Sequence, residues 1–196
     1  MKKIIITGGL GYIGTELCKI YSGYSWFDHI TVIDNRFISE RVNQIRNWNM
    51  DFFQGDILDK DFIRHHCHNA DIVHHLAGIT DVPKVKSESN KEQDEKIMLV
   101  GKIGTQNIID SINDKCKIIV PSSHVIYEGL SKIQKNIQES DKTSPVLSYA
   151  KSKDFNEKQL KASGKNYIIL RLGSVYGYST DTARIDIMPN LFSKMA

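Results

Sequence analysis

Cysteine is scarce in this sequence, net charge is small, and no long hydrophobic run occurs. The three cysteines, Cys18, Cys67 and Cys116, are odd in number and widely spaced. That distribution excludes a disulfide framework and reads as reduced thiols, so a cytoplasmic location is expected. A formal net charge of +3, with lysines and arginines scattered through 196 residues, excludes the concentrated basic footprint of a nucleic-acid binder. No apolar run approaches the ~20 residues that cross a bilayer, so no membrane partner is expected. The chain opens directly into a strand-like run, Lys2–Thr7, without the pattern of a signal peptide. Its length suits one full domain, or one domain plus a piece of another. A core of that size needs neither disulfides nor metal.

What the sequence does contain is an alternation of short apolar runs and amphipathic stretches. Lys3–Thr7 (KIIIT) reads as a buried strand. Gly11–Tyr21 carries Ile13, Leu17 and Ile20 on one helical face. His29–Asp34 predicts a second strand, Phe37–Trp48 a helix, Asp51–Gln54 a third strand and Lys60–His68 a helix. Asp71–Leu76 predicts a fourth strand, followed by Pro83 in a loop and a solvated polar stretch at Lys84–Glu95. Lys91–Asn113 predicts one long helix, Lys117–Pro121 a fifth strand, Ser148–Ser163 a helix capped by Ser148, and Asn166–Leu172 a sixth strand. A loop-like remainder ends in an apolar tail, Ile187–Phe192. Strands alternating with crossover helices imply an α/β fold, a parallel sheet with helices on both faces.

The first strand gives way to the first helix through Thr7-Gly8-Gly9-Leu10-Gly11-Tyr12-Ile13-Gly14. The glycines read equally as Gly9, Gly11 and Gly14 in G-x-G-x-x-G, or as Gly8, Gly11 and Gly14 in G-x-x-G-x-x-G. Glycine tolerates the tight turn, and the missing side chains let a pyrophosphate approach the amides at the helix N-terminus. No Gly-Lys-Ser/Thr follows, which excludes an ATP-type phosphate loop. Asp34, ending the second strand, suits the adenosine ribose hydroxyls and repels a 2′-phosphate, so the expected cofactor is NAD rather than NADP. Arg36 works against that preference, because a nearby arginine suits a 2′-phosphate. Asp56, after the third strand, reads either as a partner of the adenine amino group or as a turn cap. The whole is a Rossmann-type doubly wound sheet.

Tyr149 and Lys153 form Tyr-x-x-x-Lys at the start of a helix, an i, i+4 pair on one face. An ammonium beside a phenol favours the phenolate and makes it a usable base near neutral pH. Ser122 and Ser123 end the fifth strand, at the edge of the sheet where such folds bind ligands.

In these features the chain resembles the extended short-chain dehydrogenase/reductase family, in particular its NAD-dependent sugar-nucleotide epimerases and dehydratases. The matching segments run the length of the chain: Thr7–Gly14, Val32–Asn35, Gly55–Ile57, His75–Gly78, Gly104–Asn107, Ser122–Tyr127, Tyr149–Lys153 and Arg171–Gly177. The resemblance implies Tyr149 as catalytic base, Lys153 on the nicotinamide ribose, and Ser123 on the reacting sugar hydroxyl. It implies an NAD site lined by Gly8, Gly11, Tyr12, Ile13, Gly14, Asp34, Asn35, Asp56, Ile57, Leu76, Ala77 and Gly78, with Tyr149 and Lys153. It divides the chain into an NAD-binding domain, 1–177, and the start of a substrate-binding region, 178–196. Family members continue for roughly another hundred residues, so the chain reads as shortened or truncated. The implied reaction is epimerisation of a sugar nucleotide through a transient keto sugar. The alternatives are a dehydratase, decarboxylase or reductase of the same family, or a non-catalytic NAD-binding module.

The chain departs from the family pattern at several positions. His124 and Val125 stand where dehydratases carry an Asp-Glu pair, and His124 reads as a loop or packing residue. Gly101 and Ser174 replace asparagines, and Tyr178 replaces a proline. The clusters His65-His66-Cys67-His68 and His74-His75 suggest a metal, but neighbouring strand residues diverge, and no metal site is expected. Trp26, Phe27 and Trp48 read as packing residues. Helices 91–113 and 148–163 are the faces expected to pair in a homodimer.

Overall fold

The computed structural model describes residues 2–25, 29–80, 90–131, 134–177, 179 and 188–195. Trp26, Phe27, Pro83, Tyr178, Ile187 and the polar residues 84–89 lie outside the described residues. Six strands, β1 (Lys3–Thr7), β2 (His29–Asp34), β3 (Asp51–Gln54), β4 (Ile72–His75), β5 (Lys117–Ser123) and β6 (Asn166–Leu172), form one parallel sheet in the order β3-β2-β1-β4-β5-β6. The order reverses between β1 and β4, and ligands of such sheets bind in the crevice at that switch point.

Alternation along β1 explains the two layers. Ile4 and Ile6 face one side and pack with Ile30, Val32, Cys18, Val42 and Ile45. Those last three belong to α1 (Tyr12–Ser22) and α2 (Ser39–Asn47). Ile5 faces the other side, with Val73, Ile118, Ile63, Ile108 and Leu160. The helices there are α3 (Lys60–Cys67), α4 (Lys91–Leu99), α5 (Thr105–Ser111) and α6 (Ser148–Ala162). Both faces of the inner strands are covered, which suits the apolar runs Ile4–Ile6 of β1 and Val32–Ile33 of β2. All three cysteines are buried free thiols, and burial pushes Cys18 and Cys67 up to about 12 and Cys116 to about 11.

Four expectations change. The long helix is interrupted: α4 ends at Leu99, Val100–Gly104 forms a π-helical turn, and α5 follows. A Cβ on Gly101 would strike Ser152 Oγ and one on Gly104 would strike Ile57 Cδ1, so the two glycines bring the turn hard against α6 and the β3–α3 loop. Ser148 is the first residue of α6 rather than its cap; Leu147 holds the cap position without a side-chain bond. β5 runs past Pro121 to Ser123, because residues 121–123 stay in register with Leu170–Leu172. The apolar tail is a helix, α7 (Met188–Met195). No helix among the described residues is long and apolar enough to cross a membrane.

Candidate active site

The fifteen candidate site residues all line one cleft of about 1590 Å³ at the carboxyl ends of the strands. It runs from the glycine turn and Asp34, past Leu76–Gly78, to Ser123, Tyr149 and Lys153.

The glycine turn is shaped by close approaches. Gly8 has φ +69°, and a Cβ there would lie 2.6 Å from the Ala77 nitrogen. A Cβ on Gly14 would run into the Gly8 carbonyl oxygen. The turn therefore presents bare backbone at the N-terminus of α1, the surface that phosphates need. Tyr12, the first residue of α1, donates its hydroxyl to the Gly177 carbonyl at 2.6 Å.

Asp34 is buried, and its carboxylate accepts four hydrogen bonds. Leu10 N–H reaches Oδ2 at 3.0 Å, and Arg36 N–H reaches Oδ1 at 3.0 Å. The Arg36 guanidinium adds Nε to Oδ1 at 3.1 Å and Nη2 to Oδ2 at 3.3 Å. Asp56 acts as a turn cap: its Oδ1 accepts from Leu58 N–H at 2.9 Å, while Oδ2 accepts from Asn35 Nδ2 at 3.4 Å inside the cleft.

At the other end, helical spacing places Tyr149, Lys153 and Glu157 in one stripe of α6. Lys153 is buried and donates Nζ to the Pro121 carbonyl at 2.9 Å, with its ammonium 5.7 Å from the Tyr149 ring centroid. Burial lowers its pKa to about 8. Ser123 is buried, and its Oγ accepts from Val125 N–H at 3.4 Å. His124 lines the cleft and places Nδ1 3.2 Å from the Leu172 carbonyl.

Two buried networks behind the cleft escape the sequence reading. In the first, Glu157 accepts from Ser122 Oγ at 2.6 Å, from Arg171 Nε at 2.9 Å and from Arg171 Nη2 at 2.7 Å. Burial opposes ionisation of Glu157, but the bonds from Arg171 and Ser122 together outweigh it and hold the carboxyl below its ordinary range. Arg171 also donates to the Tyr127 hydroxyl and to the Glu139 carbonyl. The pair thus ties α6, β5, β6 and the loop after β5 together. The available signal was spacing, since Glu157 follows Lys153 by four residues.

The second network centres on His75. Its Nδ1 lies 2.9 Å from Thr7 Oγ and its Nε2 3.1 Å from Thr105 Oγ. The Asn156 amide, oriented by its partners, accepts from Thr105 Oγ at 3.0 Å and donates to the Ser152 and Gly101 carbonyls at 2.9 and 3.2 Å. Thr105 spends its proton on Asn156, so it accepts from His75 Nε2–H, and His75 Nδ1 accepts from Thr7. Burial, helped by the Lys153 charge, drops the His75 pKa to about 3. His74 points to the opposite face, where it meets the Tyr21 hydroxyl at 2.7 Å, and burial lowers it to about 4. Gly101 is explained by the same packing, since Ser152 and Asn156 fill the space a side chain would need. Among the described residues, no three His, Cys, Asp or Glu side chains gather as a metal site.

This order of strands, with a glycine turn at the switch point, defines a dinucleotide-binding Rossmann domain. The model of the 3-beta hydroxysteroid dehydrogenase/isomerase family matches residues 5–183. The chain belongs to that family, within the short-chain dehydrogenase/reductase superfamily. It is 27% identical over 198 residues to a dTDP-D-glucose 4,6-dehydratase of Dictyostelium discoideum, covering 90% of this chain and 44% of that protein. It is 29% identical over 175 residues to a UDP-glucose 4-epimerase of Neisseria meningitidis serogroup C, covering 82% of this chain and 48% of that protein. The crystal structure of UDP-glucose 4-epimerase from Brucella ovis in complex with NAD superimposes with TM-score 0.72 at 26% identity, covering 95% of this chain and 55% of that one. The chain spans about half the length of the curated relatives it matches.

Proposed function

We propose that this chain is the cofactor-binding half of an NAD-dependent enzyme that epimerises a sugar nucleotide through a transient keto sugar. The observation that carries this reading is that Tyr149, Lys153 and Ser123 share one cleft with the glycine turn and Asp34. The bare turn at Gly8 and Gly14 has the shape a pyrophosphate requires, and Asp34 stands where an adenosine ribose would lie. When bound, NAD supplies the acceptor, and later the donor, of a hydride. Tyr149 then takes the proton of the sugar hydroxyl and returns it on reduction. Lys153, anchored on Pro121, favours the phenolate electrostatically and holds the nicotinamide ribose. Ser123 hydrogen-bonds the reacting hydroxyl. The epimerases and dehydratases among the relatives support the class. His124 and Val125, in place of an acidic pair, favour epimerisation over dehydration. The reading extends to a homodimer through the 91–113 segment (α4, the π-helical turn and α5) and α6, where Leu99 of α4 and Ile103 of the turn are exposed; sedimentation equilibrium tests it.

The same cleft also serves a second reading, a non-catalytic NAD-binding module. Calorimetry with NAD, paired with NMR of UDP-glucose incubated with the protein that carries this chain, separates the two. NAD binding with conversion of UDP-glucose to its C4 epimer supports the enzyme. NAD binding without turnover of UDP-glucose or other UDP-sugars supports the module. Absence of NAD binding overturns both.

A further inference from the structure

A line of hydrogen bonds runs behind the cleft from the wall of the glycine turn to the helix that carries Lys153, and each group in it donates to the next. Ala77 N–H donates to Thr7 Oγ at 3.3 Å, and Thr7 donates on to His75 Nδ1 at 2.9 Å. His75 Nε2–H donates to Thr105 Oγ at 3.1 Å, and Thr105 donates to the Asn156 amide oxygen at 3.0 Å. The Asn156 N–H groups end the line on the Ser152 and Gly101 carbonyls. Thr7, His75, Thr105 and Asn156 are all buried, so a group that loses its partner here has no solvent to turn to.

The two ends of the line meet again at the cleft. Ala77 is the residue that Gly8 approaches, and its neighbour Gly78 lies beside the ammonium: a Cβ on Gly78 would be 4.0 Å from Lys153 Nζ. Ser152, at the other end, precedes Lys153 in α6. The Asn156 bonds to Ser152 and Gly101 tie that part of α6 to the π-helical turn, while Pro121 takes one of the three Lys153 N–H donors. Pro121 fixes the tip of Lys153; the line fixes the backbone that carries it relative to the Ala77–Gly78 wall. Resting on the reading of Lys153 as the residue that holds the nicotinamide ribose, we propose that His75, Thr105 and Asn156 are positioning residues, which set Lys153 against Ala77–Gly78 so that its ammonium meets that ribose. None of the three lines the cleft, so they act through Lys153.

Thr105→Val keeps the shape of the side chain and removes its hydroxyl, which strands His75 Nε2–H and the Asn156 oxygen. Thr105→Ser keeps the hydroxyl, and Asn156→Ala cuts the line at the next link. The experiment is titration of NAD and of ADP into wild type, these three variants and Lys153→Met, with circular dichroism on each. ADP carries the adenosine and the pyrophosphate but no nicotinamide ribose, so it reads the glycine-turn end alone. The expected result is NAD bound about tenfold more weakly by Thr105→Val and Asn156→Ala, roughly the worth of one hydrogen bond from a charged group. ADP affinity should be unchanged, and Thr105→Ser should bind NAD like wild type. Equal losses for NAD and ADP would mean general loosening of the domain and overturn the proposal, as would a Thr105→Ser that behaves like Thr105→Val. Unchanged NAD affinity in a folded Thr105→Val, with Lys153→Met weakened, overturns the proposal alone. Loss of the fold in both Thr105→Val and Asn156→Ala assigns the line to stability and overturns it too. Unchanged NAD affinity in Lys153→Met overturns the Lys153 reading and the proposal with it, and a wild type that binds no NAD overturns the cofactor reading itself.

Discussion

Lys153 donates its ammonium to the carbonyl of Pro121 at 2.9 Å. A proline inside a parallel strand withholds one ladder donor, yet its carbonyl is the anchor that fixes Lys153 at the end of β5. Tyr149, one turn earlier on α6, is the other half of the pair, and the two should fail differently. In the proposed mechanism the phenol acts only on the sugar hydroxyl, so Tyr149→Phe should lower turnover of the active enzyme by ~10²–10⁴-fold with NAD affinity nearly unchanged. Lys153→Met should lose both rate and NAD affinity. Steady-state kinetics with parallel NAD titrations check this, and near-normal turnover of Tyr149→Phe would sink the mechanism.

His74 and His75 set an acid limit on stability. Each is buried neutral, with a pKa lowered to about 4 and about 3 respectively. In the unfolded chain both take protons at about 6.5. Between pH 6.5 and 4 the unfolded state therefore binds more protons than the folded one. The stability gained from neutral histidines is complete above 6.5 and lost as pH falls toward the folded values, at about 1.4 kcal/mol per unit for each histidine. Urea unfolding between pH 4 and 7 should show that slope, and His75→Gln should remove roughly half of it. An unchanged slope in the variant would assign the acid sensitivity elsewhere.

Gly101 and Ser152 should be coupled. Gly101→Ala drives a methyl into Ser152 Oγ and should cost about 1–3 kcal/mol, the range for overpacking. Ser152→Ala removes the colliding oxygen, so the double variant should recover most of that loss. A double-mutant cycle by urea unfolding measures the coupling. Additive losses would mean that the π-helical turn yields instead of the side chain.

The Glu157–Arg171 pair should behave as a buried ion pair, with side chains 3% and 13% exposed. Glu157→Ala strands the guanidinium and should destabilise by about 3–5 kcal/mol. Replacing both, Glu157→Leu with Arg171→Met, should cost much less, because no charge is left unpaired. Equal losses in the single and double variants would show that the bonds to Ser122 and Tyr127 matter more than the pairing.

Local features were readable from the sequence because their signals are local. Apolar alternation marks β1 and β2, the glycines of 8–14 mark a turn that side chains would block, and four-residue spacing puts Tyr149 and Lys153 on one helical face. Those signals carry no information about which strands become neighbours. The order β3-β2-β1-β4-β5-β6 decides that Ser123, from residue 123, meets the same cleft as Gly8.

Pairings made across that order were likewise out of reach. Glu157 finds Arg171 only because β6 lies beside β5 in a register that sets Arg171 opposite Ser122. His75 joins Thr7 to Thr105 only because β4 lies beside β1 in a register that sets His75 opposite Thr7, with Thr105 of α5 within reach of its ring. The break in the long helix needed Ser152 and Ile57 as neighbours before two glycines could be recognised as close-approach residues. By itself the sequence determined the α/β class, the glycine turn and the Tyr149–Lys153 pair, since backbone sterics and side-chain periodicity act over a few residues. Only the tertiary structure decided the partners of His75 and Glu157, because hydrogen bonds and buried charges are satisfied by whatever groups the packed sheet brings within about 3 Å.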